Sequence, residues 1–214
     1  MDNTAAWPSA DTFAQANRAR FTQARVCVAD ILAGPGSGKT SAILALIEAL
    51  RDEYNIAVVV GDAASRVDTR KINEQGIAAM RVNAGSSGHL DGAMLSQAAD
   101  VLDLESLDLV LLENAGGLDV DADYDLGETA KIVISCVAEG HDTPVEHSCA
   151  YRLADAVVLN KVDTMARYAF DREAFVAAVR QENPEAPIFF LSATTGEGVD
   201  GLSRWLADLI DMMG

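Results

Sequence analysis

The sequence has few cysteines, few basic residues and no long apolar run, and each shortage narrows its possible functions. Three cysteines in 214 residues, without C-x-x-C spacing, give no disulfide framework and predict a reducing compartment, the cytoplasm. Sixteen Lys and Arg against 33 Asp and Glu leave a net charge of -17, which argues against nucleic acid and anionic membranes as partners. No apolar run is long enough to span a bilayer, and the first residues lack the pattern of a signal peptide.

Half of the residues are hydrophobic, and they fall into short buried-type runs separated by helical patterns. Strands are predicted near 26–32, 56–60, 77–82, 107–112, 130–137, 156–160 and 188–191. Strands that alternate with helices predict an α/β fold with a mostly parallel sheet of about seven strands and helices on both faces. The chain is predicted to be one domain, 1–214, with a helical extension over about 1–25 that includes a helix from Asp11 to Ala24.

A glycine-rich segment, Ala33-Gly-Pro-Gly-Ser-Gly-Lys-Thr40, follows the first predicted strand and precedes an Ala/Leu-rich helix. It matches the P-loop pattern G-x-x-x-x-G-K-[ST] except at its first position. In a P-loop, backbone N–H groups and the positive helix end bind phosphate, Lys39 reaches the β- and γ-phosphates, and Thr40 ligates Mg²⁺. The predicted phosphate-site residues are Gly34, Gly36, Ser37, Gly38, Lys39, Thr40 and Ser41. The alternative is an ordinary glycine-rich turn.

A second motif, Asn160-Lys-Val-Asp163, follows another predicted strand and indicates that the base is guanine. The Asp163 carboxylate can accept hydrogen bonds from guanine N1–H and its exocyclic amine, whereas adenine presents an acceptor there. Lys161 can lie over the purine, and Asn160 can bridge back to the phosphate loop. Ser192 and Ala193 follow the last predicted strand, where the Ala193 amide can bind the guanine carbonyl. The two motifs together predict a GTP site.

Two carboxylates at predicted strand ends are candidates for the catalytic centre. Asp62 and Glu113 are expected to hold Mg²⁺, directly or through water, and to orient the attacking water, as Lys39 neutralises phosphate charge. The alternative is that each caps the segment that follows it. Gly116 and Gly117 would allow close approach of the backbone to the γ-phosphate. Since no Gln stands in this segment to position water, slow intrinsic GTP hydrolysis is expected.

These motifs together resemble a known family, the HypB-type nickel-incorporation GTPases of hydrogenase maturation, which are close to the urease accessory GTPases. The resemblance spans roughly residues 11–210 and rests on Gly61-Asp62, Ser87-Gly-His89-Leu-Asp91, Glu113-Asn114, Asp125-Leu-Gly-Glu128, Glu139-Gly140 and Asn160-Lys-Val-Asp163. It implies a P-loop NTPase that forms a homodimer in its GTP state. It also implies a role in inserting nickel into the large subunit of a [NiFe]-hydrogenase, with that subunit or other maturation proteins as partners.

The metal ligands of that family are mostly missing from this sequence. The family's Cys-His pair reads Gly88-His89 here, and its second Cys position aligns with Val120. One imidazole cannot replace two thiolates in binding Ni²⁺ or Zn²⁺, so binding of either metal at His89 is doubtful. The expected role of His89 is instead to start a helix running to Leu102 and to pack or hydrogen-bond there. A second group, His141, His147 and Cys149, is expected to pack rather than to bind metal.

Two other functions stay open from the sequence. One is a metal-carrying module in which nucleotide is secondary, although the missing cysteines weigh against it. The other is a P-loop kinase acting on a small molecule, which would prefer ATP and has no use for the Asn-Lys-x-Asp motif. Comparison of GTP with ATP binding separates the kinase from the switch.

Overall fold

The fold is built on one seven-stranded sheet in which every neighbouring pair of strands is parallel. The computed structural model describes residues 10–61, 69–74, 76–83, 89–114 and 118–214. The strand order is β3-β2-β4-β1-β5-β6-β7. The strands are β1 (Cys27–Ala33), β2 (Ile56–Val60), β3 (Ala78–Arg81), β4 (Leu109–Glu113), β5 (Ala130–Cys136), β6 (Ala156–Asn160) and β7 (Ile188–Phe190). All seven predicted strands are confirmed, and the largest boundary error is at β4, which begins two residues later than predicted.

Helices connect the strands and cover both faces of the sheet, as predicted. They are α1 (Ala10–Ala24), α2 (Lys39–Leu50), α3 (Thr69–Glu74), α4 (Gly92–Val101), α5 (Leu118–Ala122), α6 (Thr143–Glu146), α7 (Ser148–Leu153), α8 (Arg172–Glu182) and α9 (Val199–Met213). Short 3₁₀ helices cover Leu104–Ser106, Val137–Glu139 and Val162–Arg167. Within the described ranges, no helix combines the length and apolar character needed to cross a membrane.

The alternation of side chains along the strands divides the core between the two faces. Ala29 and Ile31 of β1 point to the face covered by α2 and α9, where they join one apolar cluster. Val28 points to the opposite face, into a cluster that contains residues of α1 and α4. Leu32 joins a third cluster, with residues of α5, α7 and α8. A strand buried on both faces must be apolar throughout, which is the pattern that made these strands recognisable.

Helix α1 is held to the rest of the fold by a buried asparagine. Asn17 is 1% exposed, and its Nδ2 donates to the carbonyls of Gly92, at 2.8 Å, and Leu126, at 2.9 Å. Gly127 adopts φ +85° and lies so close to α1 that a Cβ there would collide with the carbonyl oxygen of Ala14. Helix α1, the part of the predicted helical extension that the structure describes, is therefore packed tightly against the segment that precedes β5; residues 1–9 of that prediction lie outside the described residues.

The expectation that His89 starts the following helix is wrong. Helix α4 begins at Gly92, and its N-cap is Asp91, whose side chain accepts a hydrogen bond from the Met94 N–H at 2.8 Å. An aspartate in extended conformation is among the preferred N-caps because its carboxylate satisfies a free N–H of the first turn. His89 lies before the helix, and its ring stacks on Tyr124 with 4.4 Å between centroids.

A fully buried carboxyl lies in the middle of the sheet, on β1. Asp30 of β1 is 0% exposed, and neither carboxylate oxygen has a hydrogen-bond partner among the described residues. Its register neighbour on β5 is Lys131, but the Lys131 Nζ binds Glu128 and the Tyr124 carbonyl, each at 2.6 Å. Burial without a paired cation favours the neutral acid and raises the pKa of Asp30 to about 7.

Candidate nucleotide-binding site

The predicted phosphate loop lies where β1 ends and α2 begins, at the carboxyl edge of the sheet. Gly36 and Gly38 adopt φ +85° and +92°, a region that glycine enters readily. Gly38 must also lack a side chain, because a Cβ there would lie 2.5 Å from the Asn160 amide nitrogen. The positive end of α2 and the adjacent backbone amides therefore face the edge where nucleotides bind in sheets of this kind.

The two serines among the predicted phosphate-site residues differ in burial. Ser37 is fully buried, and its hydroxyl donates to the Gly34 carbonyl at 2.8 Å, so this side chain closes the loop from within. Ser41 is exposed in the first turn of α2. The contact of Ser37 with phosphate, predicted from the motif, would have to come through its backbone.

Lys39 and Thr40 contact the two residues at the end of β4. The Lys39 Nζ donates to the carbonyl oxygen of Asn114, and the Thr40 hydroxyl donates to Glu113 Oε1 at 2.8 Å. Glu113 is 2% exposed, so it is a buried carboxylate held by the phosphate loop. The structure thus brings together three of the residues predicted to carry the chemistry. The other predicted residues of this region, Asp62, Gly116 and Gly117, lie outside the described residues.

Asn160 connects the phosphate loop to the predicted base-recognition loop. It is 1% exposed, and its Nδ2 donates to the Ser37 carbonyl at 2.9 Å, as the bridging role required. Its Oδ1 accepts from the backbone N–H groups of Lys161, at 2.8 Å, and Ala193, at 3.1 Å. The Ala193 amide, predicted to bind the guanine carbonyl, is therefore bonded to Asn160 here.

The remaining base-loop residues surround this junction. Lys161 takes the left-handed φ of 63°, and its Nζ donates to the Gly36 carbonyl, which lays its stem across the phosphate loop. Ser192 is fully buried, and its Oγ accepts from the Thr195 N–H at 3.3 Å. Asp163 is exposed, on the 3₁₀ helix that begins at Val162 shortly after β6.

Glu139 lies beside the phosphate loop, although the sequence motifs did not predict a role for it. Its Oε2 accepts from the Cys136 N–H at 2.7 Å, and its Oε1 would lie 3.0 Å from a Cβ built on Gly34. Burial is the main cause that raises the pKa of this carboxyl above its ordinary value. The only signal in the sequence was its place in the Glu139-Gly140 pair, since its contact with Gly34 spans about 100 residues of chain.

The side chains considered as metal ligands are dispersed. Among the residues that the structure describes, no three His, Cys, Asp or Glu side chains are grouped so that they could hold a metal ion. His147 Nδ1 lies 2.8 Å from Asp119 Oδ2, and Cys149 Sγ lies 3.1 Å from Asp123 Oδ1, so these pairs join α7 to α5 and the turn after it. Cys27 and Cys136 are buried strand residues, as predicted. His147 and Cys149 therefore each have an aspartate partner on or just after α5.

Comparison with known proteins identifies the family. Residues 28–190 match the family model described as CobW/HypB/UreG, nucleotide-binding domain. Hydrogenase maturation factor HypB of Escherichia coli is 38% identical to this chain over 193 residues. The matched region is 90% of this chain and 67% of the E. coli protein. The crystal structure of hydrogenase maturation factor HypB from Archaeoglobus fulgidus superposes with a TM-score of 0.87 and 31% identity, covering 94% of this chain and 98% of that one.

A further solved structure is HypB from Helicobacter pylori in complex with nickel. It has a TM-score of 0.88 and 28% identity, with 95% of each chain covered. The matched regions contain the phosphate loop, the Glu113-Asn114 pair and the Asn160-to-Asp163 loop described above. The chain therefore belongs to the CobW/HypB/UreG nucleotide-binding family, in its HypB branch.

Proposed function

We propose that this protein is a GTP-hydrolysing switch that acts in nickel insertion into [NiFe]-hydrogenase and forms a homodimer in its GTP state. The observation that carries the proposal is the junction at Asn160, which ties the phosphate loop to the loop bearing Asp163. One ligand must reach both loops, and a guanine nucleotide has a phosphate chain and a base suited to each. In this proposal residues 1–214 act as one cytoplasmic domain.

Base selection is assigned to Asp163, with Asn160 and Lys161 as its supports. The carboxylate accepts from two guanine donors, while adenine would place an acceptor against the same negative charge. A site built for such donors rejects the analogue that lacks them by about 10⁴-fold. Lys161 keeps its stem over the phosphate loop by bonding Gly36, which leaves its methylenes available to the purine face.

The residues at the phosphate end fit Mg²⁺. The Thr40 hydroxyl and the Glu113 carboxylate already lie 2.8 Å apart, and both are the hard oxygen ligands that this ion prefers. Thr40 and Glu113, with Asp62, would hold the ion, which when bound neutralises negative charge on the phosphate oxygens. Lys39 would exchange the Asn114 carbonyl for a phosphate oxygen, and Glu113 would orient the attacking water. Without a glutamine beside it, that water is weakly positioned, so hydrolysis is expected to be slow.

The test of base selection is calorimetry with GDP, ADP and xanthosine diphosphate, each with Mg²⁺. The wild-type protein is expected to bind GDP and not ADP. Asp163→Asn replaces a pure acceptor with an amide that can donate to the carbonyl at xanthine C2, so it is expected to lose GDP and gain the xanthosine nucleotide. Asp208→Ala, at an exposed aspartate of α9, is the control and is expected to bind GDP like the wild type.

A preference for ADP over GDP in the same experiment would contradict the proposal and favour a small-molecule kinase. Hydrolysis is measured separately, as phosphate released from GTP with time. A rate indistinguishable from that of the Lys39→Ala variant would remove the assignment of GTP hydrolysis while leaving GTP binding intact.

Nickel is the proposed cargo, with weaker binding than a site with two thiolates would give. Support for the cargo comes from the relatives named as hydrogenase maturation factors and from the nickel complex of the H. pylori protein. Support for the weaker binding comes from His89, which carries the imidazole of the family's motif but stacks on Tyr124. Calorimetry with Ni²⁺ and Zn²⁺, with and without GTP and Mg²⁺, tests cargo and coupling together. Tight stoichiometric binding that His89→Ala abolishes would favour a metal-carrying module instead.

Association is the proposed output of the switch, with a second copy, maturation proteins or the hydrogenase large subunit as partners. Sizing of the protein with a nonhydrolysable GTP analogue and Mg²⁺ is expected to give twice the mass found without nucleotide. An unchanged mass at concentrations well above the nucleotide dissociation constant would contradict the dimer. Pull-down of a hydrogenase large subunit with the analogue-bound protein tests the partner separately.

A further inference from the structure

Asn114 lies at the junction of two parts of the molecule that the sequence separates widely. It follows Glu113 at the end of β4 and is fully buried. Its carbonyl oxygen accepts from the Lys39 Nζ of the phosphate loop. Its side-chain Oδ1 accepts from the backbone N–H of Leu90, at 3.1 Å. One residue therefore contacts the phosphate site through its main chain and the segment before α4 through its side chain.

The segment His89–Asp91 is in turn fixed to several elements. The fully buried Leu90 side chain fills the space beside Gly61, where a Cβ would lie 2.5 Å from Leu90 Cγ. Asp91 caps α4, and the next residue, Gly92, accepts a hydrogen bond from Asn17 of α1. A displacement of Leu90 would therefore disturb the end of β2, the start of α4 and the contact with α1.

We propose that Asn114 is a positioning residue that couples occupancy of the phosphate site to the conformation of the His89–Asp91 segment. This inference rests on the proposed binding of nucleotide at Lys39. Phosphate oxygens carry negative charge and are stronger acceptors than a peptide carbonyl, so a bound nucleotide draws Lys39 away from Asn114. Asn114 then loses one of the bonds that hold it, and the hydrogen bond from Leu90 opens more often. His89, which precedes Leu90 and stacks on Tyr124, moves with it.

The readout is hydrogen exchange of the Leu90 amide, followed by NMR with and without GDP and Mg²⁺. Binding of a ligand usually slows exchange throughout a protein, because it stabilises the folded state. Here the Leu90 amide is expected to exchange about fivefold faster with GDP bound, the change that corresponds to weakening one hydrogen bond. Asn114→Ala removes the acceptor, so Leu90 is expected to exchange fast in both states, with GDP still bound.

Three further variants separate this role from a general loss of structure. Asn114→Asp keeps an acceptor and is expected to restore slow exchange at Leu90 without nucleotide. Lys39→Ala removes the bond to the Asn114 carbonyl and is expected to give fast exchange without nucleotide. Asn73→Ala is the control, since the Asn73 side chain, on α3, also bonds main-chain groups, those of Ala79 on β3. It is expected to keep the response to GDP.

Unchanged or slower exchange at Leu90 in the wild type with GDP bound would overturn the coupling while leaving nucleotide binding established. A response to GDP that survives in Asn114→Ala would overturn it as well. Failure of GDP to bind the wild type, seen in the same calorimetry, would overturn both the coupling and the proposed function.

Discussion

Substitution of Asp30 by asparagine is expected to change the unfolding free energy in a pH-dependent way. The difference, variant minus wild type, is expected to be more positive at alkaline pH than at acid pH. The Asp30 carboxyl is fully buried, and its oxygens find no hydrogen-bond donor among the described residues. Burial raises its pKa from 3.8 to about 7. Among the charges around it, Lys131 on β5 and Lys39 on α2 oppose the rise in pKa, and Glu128 and Asp121 add to it.

The sign follows from proton linkage. A carboxyl whose pKa is higher in the folded state than in the unfolded state binds its proton more tightly when folded, so it favours folding at low pH. That contribution is complete below pH 3.8 and is lost as the pH rises to about 7. Each pH unit within this window is worth about 1.4 kcal/mol, so the wild type loses about 2 kcal/mol between pH 5.5 and pH 7. The amide of the Asp30→Asn variant cannot ionise, so the variant has no such loss.

The assay is urea unfolding of both proteins at pH 5.5 and at pH 8, followed by circular dichroism. The difference in unfolding free energy, variant minus wild type, is expected to be about 2 kcal/mol more positive at pH 8. A constant destabilisation of the variant by the amide cancels in this comparison. Asp208→Asn, at an exposed site, is the control and is expected to show no such dependence. An equal effect of the Asp30 substitution at both pH values would refute the assignment of a neutral buried acid.

Two further predictions concern the nucleotide site and the packing of α1. Thr40→Ala removes the hydroxyl that binds Glu113, and it is expected to weaken Mg²⁺-dependent GDP binding by tenfold or so, about 1.4 kcal/mol, while Thr22→Ala on α1 leaves it unchanged in calorimetry. Gly127→Ala forces a Cβ into the α1 backbone and is expected to cost about 3 kcal/mol of unfolding free energy. Gly76→Ala, at nearly the same φ but in open space, is expected to cost only about 1 kcal/mol, and equal losses in urea unfolding would contradict the clash.

The sheet and the phosphate loop were predictable because their signals are local. Each buried strand is a continuous apolar run, and the loop from Ala33 to Thr40 is a contiguous motif between a strand and a helix. The predicted strand boundaries were wrong where apolar residues continue past the hydrogen-bonded part of a strand. Leu107 is an example, since it belongs to the turn before β4 although it extends the apolar pattern of that strand. The start of α4 was predicted too early, at His89, although Asp91 is a residue type that commonly serves as an N-cap.

The long-range polar contacts were not predictable from the sequence. The bond between Leu90 and Asn114 joins two positions 24 residues apart, and nothing in either local pattern marks the partner. Asp30 reads as one polar residue in a strand, and only the packing of both faces reveals that it is completely enclosed. Glu139 is similar, because its position beside Gly34 depends on β1 and β5 being neighbours in the sheet. Local periodicity fixes elements, whereas such contacts depend on how the elements assemble.

The bonds that Lys39 and Thr40 make with Asn114 and Glu113 set a threshold for ligands of the phosphate loop. A small anion such as inorganic phosphate has to compete with these internal partners for the lysine, and it offers no base to the loop at Asp163 in return. A nucleotide with its divalent cation would replace both bonds at once and would also contact the loop at Asp163. In the proposed GTP site, free phosphate would therefore bind less well than a nucleotide that spans both loops.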